Sequence, residues 1–383
     1  HRAVAPPLKS ILPRGAADPT YRIVPSTPSI TRPRSRWKTW CFRLLALTLV
    51  PAVFFGALEG VLRLSGSGYD TRFLVPASDD PSVLISNNKF GWRFFPKPIA
   101  RSPRPIRVTK DKPENTIRIV VLGGSAAMGD PEPAFGLPHV LAALLEERLP
   151  DRNIEVINAA MTAINSHVVL EIAKDCAVLD PDAFLVYMGN NEVVGPFGPG
   201  ALGASPAPRF AVRVRNIALA TRTGQWIQTL LTPSGSGEPR EWKGMEMAIE
   251  KQVEEGSAAL KEVYRSFSTN LDAFLRSTGR GDTLTLVGTV AVNLGDWPPF
   301  SSSHSTSGID EARFDEELAS ATASLELGDA EGAIGHLDEA GRLDGRYAEV
   351  HFQLGRARVA LGEDKTALQA FSVARDLDVL RFR

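Results

Sequence analysis

The run Thr116 to Leu122 (TIRIVVL), broken at once by Gly123-Gly124-Ser125, constrains this chain more than any other feature. A nearly unbroken apolar stretch of that length predicts a strand buried on both faces, and the glycines predict a sharp turn at its end. The same grammar recurs downstream. Strands are expected at Ile154 to Asn158, Ala183 to Met188 and Thr283 to Val290. Between them, helical spacing predicts helices over 137–149 and 166–179, a helix near 210–231, and a long amphipathic helix from Met245 to Leu275 capped by Gly279. Strands alternating with helices predict an α/β fold, a parallel sheet flanked by helices.

Ser125 follows the first of these strands and opens a helix. That turn lifts a side chain to the carboxyl edge of a parallel sheet, where α/β sites lie, and offers N–H groups that favour negative charge. Gly124 to Gly129 has phosphate-loop spacing, but Asp130 stands where that loop needs a lysine, so a phosphate cradle is excluded. A nucleophile turn is the chemical reading, and a helix-capping serine is the plainer one.

The N-terminal stretch is basic. Arg2, Lys9, Arg14, Arg22, Arg32, Arg34, Arg36 and Lys38 face one acid, Asp18, although the whole chain of 383 residues carries a formal charge of only -1. A charge-free run from Leu44 to Leu58 follows, flanked by Trp37, Trp40 and Phe42, with Arg43 and Arg63 able to snorkel. A transmembrane helix over 39–66 is expected, with the basic tail cytoplasmic and the rest extracytoplasmic, periplasmic in a bacterium. A signal peptide and a buried soluble helix are the alternatives. Following the basic arm with such a run points to membrane rather than nucleic acid. The two cysteines, Cys41 and Cys176, suggest neither a disulfide nor a metal site, and no metal or cofactor motif is present.

The tail repeats at an offset of 34 residues. Leu327-Gly328 matches Leu361-Gly362, Ala333 matches Ala367, Ala340 matches Ala374, and Leu343-Asp344 matches Leu377-Asp378. That is the tetratricopeptide (TPR) period, in which small residues let paired helices approach closely. The expected layout is therefore a basic tail (1–38), an anchor (39–66), an irregular strap rich in Pro, Ser and Arg (67–112), an α/β domain (113–310) and repeat helices (311–383). The strap's aromatics, Phe90, Trp92, Phe94 and Phe95, are expected to pack on the next domain, with ligand stacking as the other reading.

Three segments, each at a strand end and in order, resemble the blocks of SGNH (GDSL-type) hydrolases. They are Ile119 to Asp130 (IVVLGGSAAMGD), Asn158 to Ser166 (NAAMTAINS) and Gly189-Asn190-Asn191-Glu192. The resemblance covers about residues 113 to 310, and the layout resembles a bacterial subgroup with an N-terminal anchor and tetratricopeptides set into the hydrolase. It implies a flavodoxin-like sheet and a Ser125 nucleophile that forms an acyl-enzyme. It also implies an oxyanion hole from the N–H groups of Ser125 and Ala163 and the Asn191 side chain. Asn158 and Asn165 are read as bracing their loops, and Asn191 is alternatively a turn residue.

The departures are Gly124 for the family's Asp, Ala163 for its Gly and Glu192 for its last Asp. The D-x-x-H that supplies the base is not found: residues three before His139, His167, His304, His336 and His351 are Gly136, Ile164, Ser301, Ala333 and Ala348. The expected place for that block is beyond Arg383, after the repeats. Candidate pocket residues are Gly124, His167, Glu192 and His304. The implied function is ester hydrolysis or acyl transfer on a carbohydrate or lipid ester, with a protein partner on the repeats. The alternative is a membrane-anchored pseudoenzyme scaffold that binds a protein through them.

Overall fold

The computed structural model describes residues 36–201, 205–231, 241, 243–244, 247, 251–279, 281–304 and 308–381. The basic tail over 1–35 lies outside them. The chain divides into a unit over 1–56 and a second over 57–383.

Helix α1 (Arg36–Leu64) runs unbroken through Pro51. Its stretch Trp40–Leu64 is, by length and composition, long and apolar enough to cross a membrane. Missing i−4 bonding at a proline is tolerated most easily in such a helix.

The strap is more regular than its composition predicts. It forms an antiparallel sheet of β1 (Leu74–Pro76), β2 (Val83–Ser86) and β3 (Arg107–Thr109), in the order β1-β2-β3. Short 3-10 turns at Phe90–Arg93 and Lys97–Ile99 lie between β2 and β3. Phe73, Phe90 and Phe94 are buried in the same core as the α/β strands, so the strap's aromatics pack on that domain as expected. Polar ties reinforce this. Arg93 pairs with Glu171 at 2.5 Å, Asp175 accepts the Phe73 N–H, and Arg101 Nε donates to Thr162 Oγ1 at 2.9 Å.

The central sheet holds β4 (Thr116–Gly123), β5 (Asn153–Asn158), β6 (Ala183–Tyr187) and β7 (Leu284–Gly288), all parallel, in the order β5-β4-β6-β7. Helix α2 (Ser125–Met128) follows β4 directly, and α3 (Leu137–Arg148) leads to β5. Helix α4 (Ser166–Cys176) crosses back to β6, and α5 (Arg209–Leu219), α6 (Arg222–Leu231) and α7 (Ala258–Thr278) lie between β6 and β7. The chain leaves β4 toward β5 and then steps back over it, so right-handed crossovers put α3 and α4 on opposite faces. The same reversal creates a crevice between the carboxyl ends of β4 and β6, where open α/β sheets bind ligands.

Two elements differ from their sequence reading. The helix expected near 210–231 is a pair, broken at Ala220-Thr221. The long helix expected from Met245 starts only at Ala258, where Ser257 Oγ caps the Leu260 N–H; residues 245–246 and 248–250 lie outside the described set. Residues before the cap are pulled away instead, and the Val253 N–H bonds the Val379 carbonyl at 2.8 Å. Within β4, Arg118 is fully buried. Its guanidinium ties Glu155 of β5 at 2.6 Å and the Leu179 carbonyl at 2.7 Å, so one charged residue fastens the lower end of an otherwise apolar strand.

The C-terminal region is helical. Helices α8 (Glu311–Glu326), α9 (Ala330–Leu343), α10 (Ala348–Ala360) and α11 (Asp364–Leu377) pack as two hairpins. The 34-residue offset relates α9 to α11 end for end. Gly328 and Gly362 both turn the chain at positive φ, 80° and 74°. Ala333, Ala340, Ala367 and Ala374 are all buried. The matched Asp344 and Asp378 both hold the loop after β7. Asp378 accepts the Phe300 and Ser301 N–H groups, and Asp344 pairs with His304 Nδ1 at 3.1 Å.

Candidate active site at the carboxyl edge of the sheet

Ser125 stands at the first position of α2, at the carboxyl end of the central strand β4, and is partly exposed. Two glycines make that turn. Gly123 has φ of 153°, and a Cβ there would lie 2.0 Å from the Tyr187 carbonyl oxygen of β6. Only glycine fits between the two strand ends. A Cβ on Gly124 would sit 2.9 Å from Asn191 Nδ2. Gly124, having no side chain, thus leaves the space that the Asn191 amide occupies. The Ser125 hydroxyl makes no hydrogen bond among the described residues.

The loop after β5 arrives beside it. Asn158 Nδ2 donates to the Met128 carbonyl at 3.0 Å and its Oδ1 accepts the Ala160 N–H, so Asn158 joins this loop to α2. Ala163 has φ of 60°, a left-handed backbone that disfavours a side chain. Asn165 Nδ2 donates to the Pro196 carbonyl at 2.8 Å, linking this loop to the one after β6.

Asn191, in that last loop, donates through Nδ2 to the Ile164 carbonyl at 3.1 Å. A side-chain amide nitrogen carries two N–H groups, and this bond uses one of them. Loops from three strand ends therefore place Ser125, Ala163 and Asn191 in one neighbourhood.

Glu192 is turned another way. Its carboxylate accepts the Ser166 N–H at 2.8 Å and the Ser166 hydroxyl at 2.7 Å, at the N-terminus of α4. The Ser166 oxygen in turn accepts from Asn270 Nδ2 at 3.0 Å, and Asn270 Oδ1 accepts from Arg209 Nε at 3.0 Å. Burial raises the Glu192 pKa to about 7, against the lowering by its two bonds to Ser166. Ser166 and Asn270 were not singled out from the sequence. The available signal was a polar residue, Asn270, within the apolar stripe of α7.

His167 lies buried on α4, its ring edge-on to Phe197 at 5.6 Å. Desolvation and then the Arg209 charge lower its pKa to about 4, which keeps the imidazole neutral. His304 is placed with the helical region, in a cluster with the rings of Phe314 and Tyr347 and paired to Asp344. His336 pairs with Glu317, and His351 bonds the Gly345 carbonyl. None of the described histidines hydrogen-bonds the Ser125 hydroxyl.

Two clefts open beside the loop after β6. One of about 420 Å³ is lined by Asn190, Glu192, Tyr264, Phe267 and Val290, with Arg375 and Arg381 from the helical region. A second, of about 350 Å³, is lined by His167, Glu192 and Phe197 among others. Glu192 stands between them, and Ser125 lines neither.

No family model matches this chain, and no curated protein matches it. A solved structure of a mutant of the esterase AlinE4 is similar over 56% of this chain and 97% of its own, at 20% identity and a TM-score of 0.22. That likeness is too loose to assign an activity or a site residue.

Proposed function

We propose that this chain is a membrane-anchored serine esterase or acyltransferase of the SGNH type, acting on a carbohydrate or lipid ester through Ser125. The observation that carries this reading is the meeting of three strand-end loops at Ser125, with the Asn191 amide in the space left by Gly124. In the first step, Ser125 Oγ bonds to the ester carbonyl carbon while its proton passes to a base. The carbonyl oxygen takes up negative charge, and the Ser125 and Ala163 N–H groups and the second Asn191 N–H donate to it. Collapse breaks the bond to the leaving oxygen, which takes the proton back from the base and departs as the alcohol, and leaves an acyl-serine. Water then gives hydrolysis, and a second alcohol gives transfer. In the same reading the N-terminus is cytoplasmic, residues after α1 are extracytoplasmic, and the helical region is a tetratricopeptide pair that binds a protein.

A second reading has one observation in its favour: no described imidazole reaches Ser125. In it the α/β domain is a pseudoenzyme and the anchored chain is a scaffold. Hydrolysis of p-nitrophenyl acetate by the detergent-solubilised full chain separates the two. The enzyme reading expects a rate that Ser125→Ala abolishes and Asn191→Ala lowers by about 10²-fold. A rate equal in wild type and Ser125→Ala overturns it.

A further inference from the structure

Among the described residues, helices α5 and α6 leave an apolar face uncovered. On α5, Phe210, Val214 and Ile217 recur at helical spacing and are exposed, Phe210 at 79%. On α6, Trp226, Ile227, Leu230 and Leu231 are exposed, Leu231 at 76%. On α5 the opposite face is buried through Val212, Asn216 and Leu219; on α6 Gln225 is buried opposite the apolar side, and Thr223 is buried only at the helix start, so the pair is docked and most of its outer side is apolar.

The position of this pair identifies what covers it. Glu59, in the last turns of α1, accepts the Arg222 N–H at 3.0 Å, the Thr223 N–H at 2.8 Å and the Thr223 hydroxyl at 2.9 Å. Its carboxylate thus caps the start of α6. Just beyond α1, Tyr69 and Gln225 exchange two bonds, Tyr69 N–H to Gln225 Oε1 at 2.9 Å and Gln225 Nε2 to the Tyr69 carbonyl at 3.0 Å. The start of α6 is therefore fastened where α1 ends. A helix that crosses a bilayer ends at the headgroups, so α6 starts there too.

Charge agrees with this position. Residues 209–231 contain Arg209, Arg213, Arg215 and Arg222 and no Asp or Glu. Arg213 is exposed beside the apolar face. A helix pair with large apolar residues on one side, a tryptophan, and only positive charge is suited to lie in a bilayer interface.

We propose that α5 and α6 form an interfacial hairpin whose exposed face beds into the lipid bilayer where α1 leaves it. The hairpin would hold the α/β domain against the membrane, so that its sites meet molecules at or in the lipid surface. This rests on α1 crossing a bilayer and is independent of any chemistry at Ser125.

The test uses the full chain with Cys41→Ser, reconstituted into vesicles of phosphatidylethanolamine and phosphatidylglycerol. Single nitroxides are placed through Phe210→Cys, Ile217→Cys and Leu230→Cys, with Val53→Cys in α1 and Leu361→Cys in the helical region as references. All five positions are exposed, so labelling disturbs no packing. Collision with oxygen is compared with collision with a water-soluble nickel chelate. The expected result is several-fold oxygen excess at the three hairpin sites, intermediate between the Val53 and Leu361 references. Nickel-dominated collisions at the hairpin with a lipid-like Val53 overturn the proposal while leaving α1 as a span. An aqueous Val53 overturns its premise. Protection from both agents, with spin–spin broadening, assigns the face to a second copy of this chain and also overturns it.

Discussion

Ala163 carries a side chain on a backbone at φ 60°, a conformation that costs a non-glycine residue about 1 kcal/mol or more. Ala163→Gly is expected to stabilise the chain by about 1 kcal/mol in urea unfolding; a loss of stability would show that the methyl group is packed rather than strained. Glu192 makes a prediction in pH. Its carboxyl keeps a proton up to about pH 7 in the folded chain, against about 4.5 when unfolded. Between those values the folded state binds more protons, so its contribution to stability falls as pH rises and is constant above the window. Glu192→Gln removes that fall. The Tm of the variant should gain on wild type from about pH 4.5 to about pH 7 and run parallel above it. The opposite slope from His167 and the like slope from Asp175 are common to both proteins and cancel in the comparison. At this scale the three strand-end segments marked where the loops converge, because glycines and short polar residues at strand ends declare turns. That Glu192 faces Ser166, and that His304 clusters with Phe314 and Tyr347, depends on which segments fold over one another, and local sequence carries no record of that.

Among elements, the four central strands could be read because an apolar run bounded by glycine is a local signal. The helix break at 220–221 and the late start of α7 could not, since capping by Ser257 and the Val253–Val379 bond are decided by tertiary partners. The β-strands of the strap were hidden for a like reason. Segments of three or four residues are too short for alternation to declare itself. The 34-residue offset was legible because small residues recur where helices meet, yet the equivalent work of Asp344 and Asp378 emerges only with the loop in place. Asp378 accepts N–H groups from Phe300, Ser301 and Leu380. Asp378→Ala is expected to destabilise the chain by about 2–3 kcal/mol, with amide exchange accelerated more over 300–304 than in β4. Unchanged exchange in that loop would mean that the Asp378 bonds do not hold it.

For the whole molecule, an apolar helix, a strap, a parallel sheet and two helical hairpins follow one another in sequence, and from residue 57 onward they form one unit. The strap shares the core of the sheet, and the loop after β7 is fastened by both hairpins, so the elements around the crevice are braced from two sides. Such bracing would suit the proposed site, in which three donors are to be held around one oxygen. The reading of the crevice depends on Ser125 being a nucleophile, and a fluorophosphonate probe tests that most directly. The full chain in detergent is treated with the probe, digested, and its peptides weighed. The account predicts a covalent phosphonyl adduct on the peptide containing Ser125, absent in Ser125→Ala and retained in Ser166→Ala. An intact chain with no adduct at Ser125 would contradict it and leave the anchored scaffold as the function.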